Sequence, residues 1–398
     1  MAGEKKAMNQ HDIVARPKPK PQSLKQRVGT ELPTLVGLIA TIVVLIFQQP
    51  LFGNLGQDPV SLIEFIGLFG VMLWCAFGVV RHADAIASHL GEPYGTLVLT
   101  LSVIVIEVSL MAAIILHGEN NPTLARDVMF STLMIVLNGM VGTALLMGAL
   151  RYWEQEYNLE GARAFLVVIA SLAVFGLIIP NYTKSMPDPS VFPFQAGLFA
   201  TITILFYVVF VIIQTARHRA FFAEPVNGGN NGRMAFMRDE IPQHRPATGS
   251  LAYHVVMLLL TLLPVVLLSE FLAVLVDFGL ERLKLPAALG GILIAILVLS
   301  PEGLTAFHAA LANQLQRAVN VCLGSALATI GLTIPAVLMI GMITGREVHL
   351  GLDQLQEVLL ILTLFVSALT FGGARTNVLQ GIVHLLLFFV YLALIVSP

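Results

Sequence analysis

The stretch YGTLVLTLSVIVIEVSLMAAIIL, residues 94–116, is long and apolar and contains a single charged residue, Glu107. A second stretch, PAALGGILIAILVLSPEGLTAFHAALA at residues 286–312, also contains a single charged residue, Glu302. Each stretch is long enough to cross a bilayer as a helix and places its glutamate near the middle of the hydrocarbon core. Ionisable side chains at that depth are rare and usually mark the path of an ion or a proton. The alternative is a pair of glutamates that only stabilise helix packing through hydrogen bonds.

The composition of the chain is that of a membrane protein. Hydrophobic residues make up 57% of the 398 residues and charged residues 12%, and the mean hydropathy is +0.84. Soluble domains carry about 25% charged residues. The two cysteines, Cys75 and Cys322, fall inside apolar segments without a motif partner, so they indicate neither a disulfide framework nor a metal cluster. Both are predicted to be core residues.

Apolar runs of suitable length predict about eleven transmembrane helices. They lie near residues 33–48, 60–80, 94–116, 128–150, 164–180, 195–214, 251–276, 286–312, 319–343, 355–372 and 377–396. The first 32 residues are basic and lack the apolar core of a signal peptide, which predicts a cytosolic tail. With that tail inside, most of the 22 Lys and Arg residues fall on the cytosolic side, as the positive-inside rule requires. The predicted class is an all-α polytopic membrane protein.

The longest polar segment divides the predicted helices into two groups. Residues 216–250 contain EPVNGGNNGR and IPQHRPATGS, whose Gly, Asn and Pro content indicates a flexible cytosolic linker. The predicted organisation is a tail at 1–32, a leading transmembrane helix and loop at 33–59, five-helix repeats at 60–215 and 251–398, and the linker between them. The two glutamates then lie on corresponding helices of opposite orientation. Such internal symmetry is typical of secondary transporters built from inverted repeats, whose site lies near the bilayer midplane.

Two carboxylates that meet in the hydrocarbon interior are suited to holding protons and cations in alternation. Desolvation and a neighbouring carboxylate both disfavour the charged form, so a proton or a bound cation is needed to neutralise the pair. Oxygen ligands select hard cations such as Ca²⁺, Na⁺ or K⁺. Glu107 and Glu302 are therefore predicted to bind both protons and the metal cation.

Neutral oxygens are expected to complete the coordination of the cation. Pro301 has no N–H and clashes with the carbonyl one turn earlier, so it is expected to open the backbone just before Glu302 and free carbonyl oxygens there. The candidate side-chain groups are Ser300, Ser131, Asn138, Asn320, Ser325 and Thr329. For each serine and threonine, ordinary packing between membrane helices is the alternative.

Several segments of the chain resemble a known transporter family. They are RHADAIASHLGEPYGTLVLTLSVIVIEVSL, LSPEGL, NQLQRAVN, GSALATIGLTIP and RTNVLQG. They closely resemble bacterial ChaA-type proteins of the cation/proton exchanger (CAX) branch of the calcium/cation antiporter superfamily, from about residue 33 to the C-terminus. The resemblance implies an eleven-helix antiporter of the bacterial inner membrane that expels Ca²⁺, Na⁺ or K⁺ in exchange for protons. It matches the family's two essential acidic residues to Glu107 and Glu302.

The chain also departs from the pattern of that branch. Asparagine stands three positions before each essential glutamate in the wider branch, whereas this chain has Ile104 and Leu299. The acidic helix that usually separates the repeats is missing from residues 216–250. The loss of two amide oxygens beside the cation bears directly on selectivity for Ca²⁺.

Other functional classes fit the sequence less well. A cation channel with an acidic pore is the alternative function, but a deep pair of acids would trap ions in a pore. An intramembrane enzyme is disfavoured because the sequence contains neither HExxH nor a Ser/His arrangement in shared helices. The expected partners are inorganic cations, protons and the lipid bilayer of an inner membrane, with the N-terminus cytoplasmic, no cofactor and no nucleic acid.

Overall fold

The computed structural model describes residues 29–49, 58–90, 94–117, 122–183, 193–223, 249–286 and 288–396. Within these ranges the chain forms eleven long helices, one short 3-10 helix (Arg219–Phe222) and one two-stranded sheet. The helices are α1 (Leu32–Ile46), α2 (Asp58–Leu90), α3 (Tyr94–His117), α4 (Leu124–Met134, Ile135–Met140 and Val141–Tyr152), α5 (Leu159–Ala173, Val174–Ile178 and Ile179–Tyr182), α6 (Pro193–Ile212 and Ile213–Arg217), α7 (Leu251–Leu283), α8 (Ala288–Leu311), α9 (Leu315–Ala328, Thr329–Thr333 and Ile334–Thr344), α10 (Gln354–Thr370) and α11 (Val378–Val396). The middle segments of α4, α5 and α9 and the last segment of α6 are π-helical. The eleven predicted helices and the all-α class are thereby confirmed.

The lengths and apolar surfaces of the helices make this a multi-pass membrane protein. Eight helices of the described chain are long and apolar enough to cross a bilayer, and shorter apolar segments lie at Leu32–Ile46, Thr100–Ala113 and Gln354–Thr370. Large apolar side chains remain exposed along α1, α6 and α11. Lipid is the natural environment for such faces, because contiguous apolar patches of this size are unusual on soluble proteins.

The helices after α1 form two series, α2 to α6 and α7 to α11, with similar lengths and similar π-helical interruptions. Helices α2 and α7 both have 33 residues, and α3 and α8 both have 24. Helices α4 and α9 are each interrupted by a π-helical turn. This order supports two related groups of five helices, whose opposite orientation stays a prediction. The predicted tail up to residue 28 and residues 224–248 of the predicted linker lie outside the described residues.

The two glutamate-bearing helices, α3 and α8, are packed among helices from both groups. Helix α3 contacts α2, α7 and α9, while α8 contacts α4 and α9. Helices α3 and α8 also touch each other. Close contact with α4 is possible because α8 has a glycine there, and a Cβ at Gly291 would lie 3.1 Å from the carbonyl of Asp127. Cys75 and Cys322 are buried and free, so their prediction as core residues is confirmed.

A small sheet ties the connection after α4 to the connection after α10. Strand β1 (Gln155–Glu156) pairs antiparallel with β2 (Arg375–Thr376). The Arg375 guanidinium lies 2.6 Å from Glu156 and 3.4 Å from Glu154, and the hydrogen bond that it donates to Glu156 raises its pKa. These exposed ion pairs contribute little stability on their own. The main role of the sheet is therefore to hold the end of α4 beside the start of α11.

Candidate cation and proton site

Glu107 is buried at the interface between α3 and α9. Its residue surface is 3% exposed, and its Oε2 accepts a hydrogen bond of 3.0 Å from the Thr329 hydroxyl. Thr329 is the first residue of the π-helical turn of α9. The Thr333 hydroxyl, also on α9, lies within hydrogen-bonding reach of the same carboxyl group. The carboxyl group of Glu107 is therefore held by hydroxyls of α9.

Glu302 is half-buried on α8 and is also held by a hydroxyl from α9. The Ser325 hydroxyl donates a hydrogen bond to Oε2 of Glu302. Ser325 and Thr329 are four residues apart along α9, so their side chains project from the same face of that helix. Helix α9 thus supplies a donor to each carboxyl group. The two carboxyl groups also lie within electrostatic range of each other.

A further hydroxyl near Glu107 was missed in the sequence-based set of candidates. Thr333 is fully buried at the end of the π-helical turn of α9, and its hydroxyl lies within hydrogen-bonding reach of the Glu107 carboxyl group. Its position four residues after Thr329 places it on the same face of α9. That spacing was the signal in the sequence that could have identified it.

The structure brings four of the eight predicted site residues together and holds the others elsewhere. Glu107, Glu302, Ser325 and Thr329 form one connected group. The remaining four make hydrogen bonds to other parts of the protein, namely Ser131 to Tyr391 (2.8 Å), Asn138 to Thr363 (2.8 Å) and His384 (3.1 Å), Asn320 to Gln316 (2.8 Å) and the Phe222 carbonyl (2.7 Å), and Ser300 to the Ile296 carbonyl of its own helix. In this structure Ser131, Asn138 and Asn320 bond to other elements of the protein, and Ser300 bonds within α8.

The expectation for Pro301 is met in part, because helix α8 continues through the proline but one carbonyl before Glu302 loses its hydrogen-bond partner. Helix α8 continues from Ala288 to Leu311 with Pro301 inside it. A proline inside a helix removes one N–H, so the Leu297 carbonyl lacks the partner that residue 301 would otherwise supply. The proline therefore weakens one turn of α8 without unwinding it.

Comparison with known proteins identifies the family. The family model described as sodium/calcium exchanger protein matches residues 60–216 and 253–397. This chain belongs to the sodium/calcium exchanger family. The two matched blocks nearly coincide with the five-helix groups of this exchanger, α2 to α6 and α7 to α11.

Curated relatives of this exchanger include transporters of several cations. The sodium-potassium/proton antiporter ChaA of Escherichia coli is 39% identical over 344 residues, which cover 86% of this chain and 91% of the relative. A Ca²⁺/H⁺ antiporter of Aphanothece halophytica is 24% identical over 256 residues, 63% of this chain and 67% of the relative. The resemblance to ChaA-type proteins is thereby confirmed.

Solved structures of two transporters share the fold of this exchanger. The structure of native YfkE matches with a TM-score of 0.68 at 14% identity, over 93% of this chain and 100% of that one. The crystal structure of the H⁺/Ca²⁺ exchanger CAX matches with a TM-score of 0.66 at 14% identity, over 93% of this chain and 89% of that one. At this level of identity the likeness concerns the fold alone.

Proposed function

We propose that this chain is a secondary active antiporter that exchanges protons for Ca²⁺, or for Na⁺ and K⁺, across a bacterial inner membrane. The observation that carries the proposal is that Glu107 and Glu302, which come from two apolar helices in different halves of the chain, both accept hydrogen bonds from the same face of α9. The curated relatives, which are named as sodium-potassium/proton and Ca²⁺/H⁺ antiporters, support the same function.

The proposed mechanism is competition between protons and a cation for the same two carboxyl groups. A pair of charged, desolvated carboxylates is unfavourable, and either protons or a cation can relieve the cost. If only occupied forms of the protein convert between inward-facing and outward-facing states, each cation that crosses one way is exchanged for protons that cross the other way. Coupling then needs no covalent chemistry and no cofactor, since the ions are substrates.

Within this proposal the side chains have distinct roles. Glu107 and Glu302 bind the proton and the metal cation. Ser325 and Thr329 orient one oxygen of each carboxyl group and offer neutral oxygens to the cation, since hard cations prefer oxygen ligands. The other four candidates, Ser131, Asn138, Asn320 and Ser300, are proposed to support the helices that carry the site.

The proposal includes the arrangement of the chain in the membrane. The N-terminus is cytoplasmic, and the two five-helix groups have opposite orientations, so that α3 and α8 bring their glutamates together from opposite directions. A carrier is favoured over the alternative of a cation channel because Glu107 is only 3% exposed. An ion held by such a buried carboxylate leaves readily only after the protein changes conformation.

The experiment that tests the function is substitution of the two acids by glutamine. Glu107→Gln and Glu302→Gln keep the size of each side chain and remove its titratable charge. We expect each substitution to abolish cation-dependent proton movement in everted membrane vesicles, followed with a pH-sensitive dye. Ca²⁺, Na⁺ and K⁺ are tested separately over a range of pH.

The matched control is Glu347→Gln, because Glu347 has a side chain that is 78% exposed and lies outside the helices. It is expected to exchange ions like the wild type, and all variants are compared at equal protein abundance. Wild-type exchange in either Glu107→Gln or Glu302→Gln would contradict the assignment of the site. Cation flux that does not saturate and does not move protons would favour the channel.

A further inference from the structure

Two buried histidines are in contact where the last turns of α2 lie beside the first turn of α7. His82 of α2 is 1% exposed and His254 of α7 is 8% exposed, and their Nδ1 atoms lie 3.1 Å apart. In the proposed arrangement of the chain, this end of both helices faces the cytosol. Neither histidine takes part in the mechanism proposed above, so their burial opposite each other calls for a separate explanation.

The surroundings of the histidine pair contain one carboxylate and one fixed positive charge. Nε2 of His82 lies 3.0 Å from Oε2 of Glu31 and 3.1 Å from Nη2 of Arg81. Arg81 also lies 3.1 Å from the same carboxylate oxygen, and the Tyr253 hydroxyl donates to the other oxygen of Glu31 at 2.8 Å. Because an arginine is always charged, the Glu31 carboxylate already has a cationic partner before either histidine is protonated.

The other titratable groups of α2 and α7 are farther from the pair. The His89 ring centre is 5.8 Å from that of His254, and the two nitrogens of His89 face backbone carbonyl oxygens. Asp84, two residues after the buried histidine of α2, lies on a different side of that helix. Glu64 on α2 and Glu270 on α7 are more than about four helical turns away along their helices.

Titratable side chains of the neighbouring helices bond elsewhere. Helices α3 and α8 both pack against α2. Their acids, Glu107 and Glu302, bond to hydroxyls of α9, and Nδ1 of His308 bonds to a carbonyl of α8 itself. Among the described residues, the groups that act on the protons of the pair are therefore Glu31, Arg81, His89 and Tyr253.

The contact between the two rings limits the number of protons that the pair can hold. A neutral imidazole has one N–H and one acceptor nitrogen, and an imidazolium has two N–H groups. The contact between the Nδ1 atoms needs a proton on one of them and a lone pair on the other. It is therefore compatible with two neutral histidines or with one charged histidine. With both charged, two N–H groups point at each other.

The charge balance around the pair acts in the same direction. With both histidines protonated, they and Arg81 make three cations that share the one carboxylate of Glu31. Uncompensated charge is costly in a buried place. A second proton on the pair is therefore expected to separate α2 from α7 at this end.

Such a separation reaches the cation site through the packing of the helices. Helix α3, which carries Glu107, contacts both α2 and α7, and α8, which carries Glu302, contacts α2. Movement of α2 relative to α7 therefore changes the support of both helices that carry the acids.

We propose that His82 and His254 form a second proton-binding site, which regulates exchange from the cytosolic side and carries no transported ion. With at most one added proton, the pair holds α2 against α7 and the exchanger is active. A second added proton breaks the contact and slows exchange, so that an acidified cytosol receives fewer protons. This inference goes beyond the proposed function and relies on it for only one of the two measurements below.

The first test measures exchange against the pH of the medium, which bathes the cytosolic face of everted vesicles. His254→Asn keeps a polar group close to the position of Nδ1 and removes one of the two protonated groups. Free histidine titrates near pH 6.5, and loss of a neighbouring like charge favours the charged form of the remaining histidine. We expect the acid-side midpoint of exchange in His254→Asn to lie roughly one pH unit below that of the wild type. An unchanged midpoint would contradict the proposal.

The matched control is His308→Asn, because His308 is also a helical histidine but bonds within α8. It is expected to keep the wild-type pH profile. His82→Asn combined with His254→Asn is expected to shift the midpoint no further than His254→Asn alone, since removal of either histidine already removes the repulsion. Additive shifts, or an equal loss of exchange at every pH, would mean that the histidines only pack.

The second test measures the separation of α2 and α7 without transport. Spin labels are attached to purified protein at Leu90→Cys and Val256→Cys, since both side chains are exposed at this end of the helices and the native cysteines are buried. We expect the distance between the labels to increase between about pH 8 and about pH 5, the range in which histidine changes charge. The increase is expected to be absent when His254→Asn is added.

The two measurements separate failure of this inference from failure of the proposed function. Equal label distances at both pH values in the protein with both histidines would overturn the regulatory site. If the distance increases with acid but the wild type shows no exchange in vesicles, the proton-binding site stands and the proposed antiport function fails.

Discussion

At the scale of single residues, the two acids are held in an unsymmetrical way. Glu302 receives its hydrogen bond from Ser325, in the same half of the chain, whereas Glu107 receives its bond from Thr329, in the other half. Ser131, at the corresponding distance after Glu107, instead accepts a bond from Tyr391. One helix, α9, therefore serves both carboxyl groups, and a movement of α9 alters both at once.

This asymmetry predicts different effects for two corresponding serines. Ser325→Ala removes the donor to Glu302, and we expect the apparent cation affinity in everted vesicles to fall roughly 3- to 10-fold, as for the loss of one hydrogen bond to a charged group. Ser131→Ala removes a contact with Tyr391 only, so it is expected to lower thermal stability in detergent by about 1 kcal/mol and to change the affinity by less than about twofold. Equal loss of affinity in both variants would mean that the site is symmetrical.

At the scale of elements, irregular turns of the helices accompany the site. The π-helical turn of α9 carries Thr329 and Thr333, and the corresponding turn of α4, Ile135–Met140, carries Asn138. Asn138 bonds to Thr363 and His384 on α10 and α11. The turn of α9 therefore bonds to the acids, whereas the turn of α4 bonds to α10 and α11.

Helix α8 gives a prediction about its proline. In Pro301→Ala the new N–H pairs with the Leu297 carbonyl and restores the weakened turn, which alters the position of Glu302 relative to Ser325. We therefore expect the apparent cation affinity to change more than protein abundance. Affinity is measured by dye-monitored exchange, and abundance by immunoblot of the same vesicles.

The matched control for this prediction is Pro264→Ala, since Pro264 is a buried proline inside α7 that packs against α1 near Gly37. It is expected to leave the affinity unchanged. If Pro301→Ala lowers abundance without any change in affinity, the proline at position 301 has only a packing role.

At the scale of the whole molecule, an odd number of membrane-spanning helices predicts termini on opposite sides. The positive-inside rule assigns the basic tail and residues 216–250 to the cytosol. We expect a fluorescent reporter that folds only in the cytosol to be active when inserted at residue 235 and inactive when fused after residue 398. A periplasm-dependent phosphatase at the same two positions is expected to give the reverse pattern. Activity of one reporter at both positions would rule out eleven spans with the N-terminus inside.

Much of the fold and part of the site could be predicted from the chain because the bilayer imposes simple rules. A helix must be about twenty apolar residues long to cross the hydrocarbon core, so α1 to α11 were visible as apolar runs. Glu107 and Glu302 stood out because each is a lone charge in such a run. Ser325 and Thr329 were found with them, but the same reasoning also selected Ser131, Asn138, Asn320 and Ser300, since small polar residues are common in every membrane helix.

The sequence by itself determined the eleven helices, the two lone acids inside apolar helices and the family, because hydrophobic length, isolated charge and local motifs can each be read from a single stretch of chain. Only the tertiary structure decided that α9 supplies hydroxyls to both acids, that Asn138 bonds to α10 and α11, and that α8 stays helical through Pro301. The physical reason is that periodicity specifies which face of a helix is polar, while the neighbour that this face meets depends on how helices distant in the chain pack together.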